Sequence, residues 1–104
     1  FDYFWRETML TVRRNTPFTI RCDHDGLDTV SYRCLVNGAV AVEEPASELI
    51  NGSIDFAFPS GLPKGVYTTS FIAINELDEV SDPLNDTLIV QSQRPHALIN
   101  DRLV

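Results

Sequence analysis

Gly61-Leu62-Pro63-Lys64-Gly65-Val66-Tyr67 runs straight into Thr68-Thr69-Ser70-Phe71-Ile72-Ala73-Ile74-Asn75. The first stretch reads as a tight corner, because Gly and Pro supply the backbone conformations that turns need. The second is rich in β-branched and aromatic residues and reads as a long strand. Tyr67 stands four residues after Pro63. A tyrosine so placed can bury its ring and return its hydroxyl to the turn backbone, a device that closes Greek-key sandwiches. Pro63 and Tyr67 are therefore assigned structural roles.

Working outward, period-two alternation marks the neighbouring strands. Thr8 to Arg14 reads as a first strand, followed by an Asn15-Thr16-Pro17 turn. Phe18, Ile20 and Cys22 alternate with Thr19, Arg21 and Asp23. Val30, Tyr32, Cys34 and Val36 alternate with Ser31, Arg33, Leu35 and Asn37. Asn37-Gly38 is a strong hairpin signal, and Ala39 to Val42 returns as a short strand. The stretch 43–52 reads as a loop, with one helical turn within Ala46–Ile50. Ile54, Phe56 and Phe58 form another alternating set, and Leu84 to Gln91 is the last strand. Seven short β segments with regular turn signals and no helical periodicity predict one all-β, seven-stranded antiparallel Greek-key sandwich. The chain divides into an N-terminal aromatic segment with the first strand (1–16), a sandwich core (17–91) and a C-terminal tail (92–104).

The segment from Pro17 to Val90 resembles a fibronectin type III domain or a close immunoglobulin-like relative. Ser31-Tyr32-Arg33-Cys34-Leu35-Val36-Asn37-Gly38 is similar to that family's third strand and hairpin. Leu62-Pro63-Lys64-Gly65-Val66-Tyr67 is similar to its Leu-x-Pro-x-x-x-Tyr corner, with Leu62 closer to the proline than in the pattern. Ala73-Ile74-Asn75, with Ser81 and Pro83, is similar to its Ala-Val-Asn strand end and following loop. Two departures are visible. Cys22 occupies the place of the tryptophan usual on the second strand, and Glu76-Leu77-Asp78-Glu79 replaces a glycine-rich loop. The resemblance speaks for the fold and implies no activity.

The net charge of −7 is unevenly spread. Residues 1–33 balance five acids with five bases, whereas residues 34–93 carry nine acids and only Lys64. Such a surface would repel nucleic-acid phosphates. No apolar run approaches the roughly 20 residues of a membrane span, so neither nucleic acid nor membrane insertion is expected. The sequence starts at Phe1 without a signal peptide, which suggests a piece of a longer chain.

The topology implied by the resemblance brings loops 23–29, 43–52 and 76–82 to one pole. Ten acids fall there: Asp23, Asp25, Asp28, Glu43, Glu44, Glu48, Glu76, Asp78, Glu79 and Asp82. A solvated loop end, a docking pole for a basic or polar partner, and a calcium site compete as readings. Calcium takes about 6–8 oxygens, but no Asp-x-Asp-x-Asp-Gly loop occurs, and no metal or cofactor is expected. Asp25, Asp28, Glu48, Glu76, Asp78 and Glu79 are the candidate partner-binding residues of this pole.

The second candidate surface is the N-terminal cluster, which holds Phe1, Tyr3, Phe4 and Trp5, four of the ten aromatics. Tyr3, Phe4 and Trp5 either pack on the sandwich or anchor a neighbouring domain or subunit. Cys22 and Cys34 fall on inward registers of consecutive strands, as a disulfide or as two small buried side chains. Either role is structural. No phosphate loop, nucleophile elbow or His-rich cluster is present, so no catalysis is expected.

The expected function is a non-catalytic interaction or structural module of a larger extracellular, cell-surface or virion assembly. It would bind a protein partner or neighbouring subunits through loops or edge strands. The alternative is a carbohydrate-binding accessory domain of a secreted enzyme, with a glycan as partner. Both rest on analogy at the level of the fold.

Overall fold

The computed structural model describes residues 9–92 and 97–104. Among them the chain forms seven strands: β1 (Met9–Arg13), β2 (Phe18–Asp23), β3 (Ser31–Val36), β4 (Ala39–Pro45), β5 (Ser53–Phe58), β6 (Gly65–Ile74) and β7 (Leu84–Gln91). One 3-10 turn, Ala46–Glu48, follows β4. Two sheets face each other. One has five strands in the order β1-β7-β6-β3-β4, and the other has only β2 and β5. The strands and the predicted helical turn fall where the alternation placed them. β4 runs further than expected, to Pro45, so Glu43 and Glu44 belong to a strand.

The core is assembled by alternation. Phe18, Ile20 and Cys22 of β2 pair with Phe58, Phe56 and Ile54 of β5, all on the inner face. Opposite them stand Tyr32 and Cys34 of β3, Thr69 and Phe71 of β6, and Leu88 and Val90 of β7. Phe18 and Phe58 stack at 4.6 Å, and Phe56 meets Phe71 at 5.4 Å. Full burial of side chains such as Phe56, Ile54 and Leu88 contributes about 1.5–3 kcal/mol each.

The ladders are antiparallel except one. β1 pairs with β7 in parallel, from Met9 opposite Thr87 to Arg13 opposite Gln91. The expected sandwich is present, and this one parallel pair forms an edge of its large sheet. The physical reason is direction: β1 descends beside β7 toward the same end, and Arg14 N–H continues the contact onto Gln91 O at 3.0 Å.

The corner lies at that end. Tyr67 Oη donates to Pro63 O at 2.7 Å, with the ring half-buried. Asn15 N–H donates to Leu62 O, so the β1–β2 turn is tied to the corner. Gly61 has φ +64, and a Cβ there would sit 2.5 Å from the Thr16 backbone. Asn37 and Gly38 both have positive φ, as a two-residue hairpin requires.

Candidate docking pole

The opposite end gathers three loops: 24–30, 46–52 and 75–83. Backbone bonds knit them together. Val30 N–H donates to Ile74 O, Ala46 N–H to Val30 O, and His24 N–H to Gly52 O. The convergence expected from the topology is thus present.

Each loop is held in shape by its own side chains. In the first, Asp25 Oδ1 accepts from Leu27 N–H at 2.9 Å. Gly26 N–H donates to His24 Nδ1 at 3.0 Å, so this ring nitrogen is an acceptor, and the Tyr32 hydroxyl 2.8 Å away donates to it as well. Gly26 lies against Leu49 of the second loop, whose Cδ2 would be 2.8 Å from an added Cβ. In the third loop Asn75 is the organiser. Its Oδ1 accepts from Leu77 N–H and Glu79 N–H, both at 2.9 Å, and its Nδ2 donates to Glu79 Oε1 at 2.7 Å. Ser81 brackets the end of β6 by bonding Ala73 through both its backbone and its hydroxyl. Loops so braced are pre-organised, which lowers the ordering cost of binding.

The six candidate acids separate into groups. Asp28 and Glu76 line one shallow cleft with Val30, Asn75 and Leu77. Asp28 and Glu79 line an adjoining one with Leu27 and Val80. Asp25 is exposed and braces its own loop, and Asp78 is exposed at a turn with φ +63. Glu48 departs from the set. It sits beside Arg21, Asn51 and Asp55 on the outer face of the small sheet, where Arg21 Nε donates to Asp55 Oδ1 at 2.7 Å. Asp23 belongs to β2, and its Oδ1 accepts from the Ser53 hydroxyl. Among the described residues no cluster of three or more His, Cys, Asp or Glu is arranged to hold a metal ion.

A second component of the pole is aliphatic. Leu27, Leu77, Val80 and Val30 are all exposed, Leu27 and Leu77 at 72% and 75%. Charge alone draws attention to the acids; the signal for this component was a leucine flanked by acids in each of Asp25-Gly26-Leu27-Asp28 and Glu76-Leu77-Asp78-Glu79. Exposed aliphatic tips ringed by charge have the anatomy of a protein interface, apolar at its centre and polar at its rim.

The two cysteines are free thiols on opposite sheets. Burial pushes the Cys22 thiol up to about 11 and the Cys34 thiol up to about 12. Both therefore stay protonated at neutral pH, and neither is an activated nucleophile. Tyr3, Phe4 and Trp5 lie outside the described residues.

Neither the family models nor the curated proteins compared with the chain match it. Solved structures do. The chain is similar to the fibronectin(III)-like modules of Clostridium thermocellum CbhA, at TM-score 0.65 and 17% identity, over 86% of this chain and 94% of that one. It is equally similar to the extracellular domain of mouse leukocyte-associated immunoglobulin-like receptor 1, solved as a strand-swapped dimer. There the TM-score is 0.67 and the identity 17%, over 96% of each chain. The fold is therefore that of the fibronectin type III and immunoglobulin-like sandwiches, as the corner and third-strand residues implied.

Proposed function

We propose that this chain is a non-catalytic interaction module that docks a protein partner through its loop pole, within a larger extracellular, cell-surface or virion assembly. One observation carries the reading: two braced loops present Leu27, Leu77 and Val80 beside Asp28, Glu76 and Glu79 in adjoining clefts. Loops 24–30, 46–52 and 75–83 contain no Lys or Arg. The complementary partner surface is basic with an apolar centre. Acids on the rim would steer encounter and make it salt-dependent, while the leucines would supply the buried area. The described aromatics, Phe18, Tyr32, Phe56, Phe58, Tyr67 and Phe71, are buried or half-buried, so no described residue favours sugar stacking.

The test is carbodiimide cross-linking of the chain in its native assembly, which joins carboxylates to nearby lysines. Cross-links concentrated at Asp28, Glu76 and Glu79 are expected. A combined Asp28→Asn, Glu76→Gln, Glu79→Gln variant should bind the cross-linked partner about tenfold more weakly at low salt, since each exposed charge contributes up to about 1 kcal/mol. Addition of Leu77→Ser should weaken binding further at any salt. Cross-links confined to other surfaces, or unchanged affinity, would rule the pole out.

A further inference from the structure

His24 follows directly on β2, where the first loop of the pole begins, and its ring holds that loop's shape. Its Nδ1 lies 2.8 Å from the Tyr32 hydroxyl and 3.0 Å from Gly26 N–H. A backbone amide can only donate, so Nδ1 carries no proton in this geometry and the neutral imidazole has its proton on Nε2. The surroundings of the ring are fixed. Tyr32 is buried in the core, and its ring meets that of His24 edge to face at 5.2 Å. His24 N–H is bonded to Gly52 O at 2.9 Å. Histidine is the side chain that changes charge between about pH 5 and 8. A proton on Nδ1 would set two N–H groups against each other across the 3.0 Å to Gly26. The Tyr32 hydroxyl can turn and accept, because a hydroxyl serves in either role. The Gly26 amide cannot, and must leave.

We propose, on the reading of this pole as the docking surface, that His24 is its proton switch: a proton gained on Nδ1 releases the Gly26 amide and resets the segment Asp25–Asp28, which presents Leu27 and Asp28. The charged form has partners waiting. Asp25 Oδ1 lies 3.7 Å from Nδ1. Asp28 and Glu79 line one cleft with the ring, and Asp23 and Asp82 line the other. Among the described residues no Lys or Arg lines either cleft. The remaining titratable neighbours are Tyr32 and Cys22. Burial raises the Tyr32 hydroxyl and pushes the Cys22 thiol up to about 11, so neither changes charge between about pH 5 and 8. Two forms thus compete, a neutral one held by a backbone donor and a charged one drawn by carboxylates. The change spreads from Gly26. Leu27 N–H is held by Asp25 Oδ1 at 2.9 Å, so an Asp25 that turns to the imidazolium gives up a second brace. Gly26 also lies against Leu49, which carries the disturbance into the 46–52 loop. The braced, neutral loop is the binding form. Affinity is therefore full above the histidine range and falls as pH drops through it.

The test is an amide NMR titration of the free chain from about pH 8 to 5.5, spanning most of the histidine range. His96, the other histidine, is replaced (His96→Gln) so that one imidazole titrates. The Gly26, Leu27 and Asp28 amides should shift with the His24 ring, on one curve with one midpoint. His24→Asn puts an uncharged oxygen at the place of Nδ1, which accepts from Gly26 N–H but takes up no proton, so in that variant the three amides should stay flat. Amides that still titrate in His24→Asn, or that stay flat while the native ring titrates, would overturn the switch. Should His24→Asn not fold, the midpoints in the chain that keeps His24 decide, and a Gly26 midpoint different from that of the ring would overturn it. Binding separates the switch from the docking reading. The partner captured by carbodiimide cross-linking should bind several-fold more weakly at the acid end of this range than at the basic end, and equally at both in His24→Asn. Equal binding by the native chain to a partner cross-linked at Asp28 would overturn the switch. Loop amides that titrate, beside a partner cross-linked only elsewhere, would uphold the change in the loop and overturn the docking reading instead.

Discussion

Thr69 has 0% exposure, and among the described residues its hydroxyl has no hydrogen-bond partner. A hydroxyl buried without a partner costs about 1–3 kcal/mol relative to an apolar group. Thr69→Val keeps the shape and removes the polar atom, so it should stabilise the fold by about 1 kcal/mol, measurable as a higher urea midpoint at unchanged slope. Tyr67 is the opposite case, a polar group that is satisfied. Tyr67→Phe deletes the 2.7 Å bond to Pro63 O and should cost about 1 kcal/mol, lowering the melting temperature by about 4–8 °C. The Tyr67 role was legible in sequence because a proline and a tyrosine at fixed spacing prescribe one local geometry. The Thr69 defect was not, since a threonine on the inner face looks like any β-former until its neighbours are known.

At the scale of the element, Gly61 links two turns. Its φ is +64, and the Thr16 backbone occupies the space a side chain would need. Gly61→Ala should therefore destabilise by well over about 1 kcal/mol, since it adds an unfavourable dihedral to a backbone clash. Thermal melts of the two forms check this, and a change below about half that size would show that the corner can yield. The strands themselves were legible, because period two is local information. Their partners were less so. Met9–Arg13 announces a strand but not that it will run parallel beside β7, which depends on residues at the far end of the chain. Glu43 and Glu44 read as loop because an exposed edge strand carries the polarity of a loop. The shared pole followed from topology, whereas the departure of Glu48 to the outer face, beside Arg21 and Asp55, depended on the path taken after the Ala46–Glu48 turn.

For the molecule as a whole, the two layers meet at a pair of protonated thiols. Cys22 comes from the small sheet and Cys34 from the large one, and burial raises both above the ordinary value of 9.0. The unfolded chain therefore loses these protons at lower pH than the folded one. The stabilising contribution is complete below about pH 9 and declines as pH rises toward 11–12. Denaturant melts at pH 8, 9 and 10 should show falling stability, and a Cys22→Ala, Cys34→Ala double variant should lose that part of the slope. The parallel ladder between β1 and β7 has a mechanical consequence. A tether pulling on Met9 and another on Gln91 would drag the two strands lengthwise past each other. The ladder from Met9–Thr87 to Arg13–Gln91 would then be loaded in shear, its rungs sharing the tension, rather than unzipped one at a time. Stretched in this way, the domain would yield abruptly and at high force.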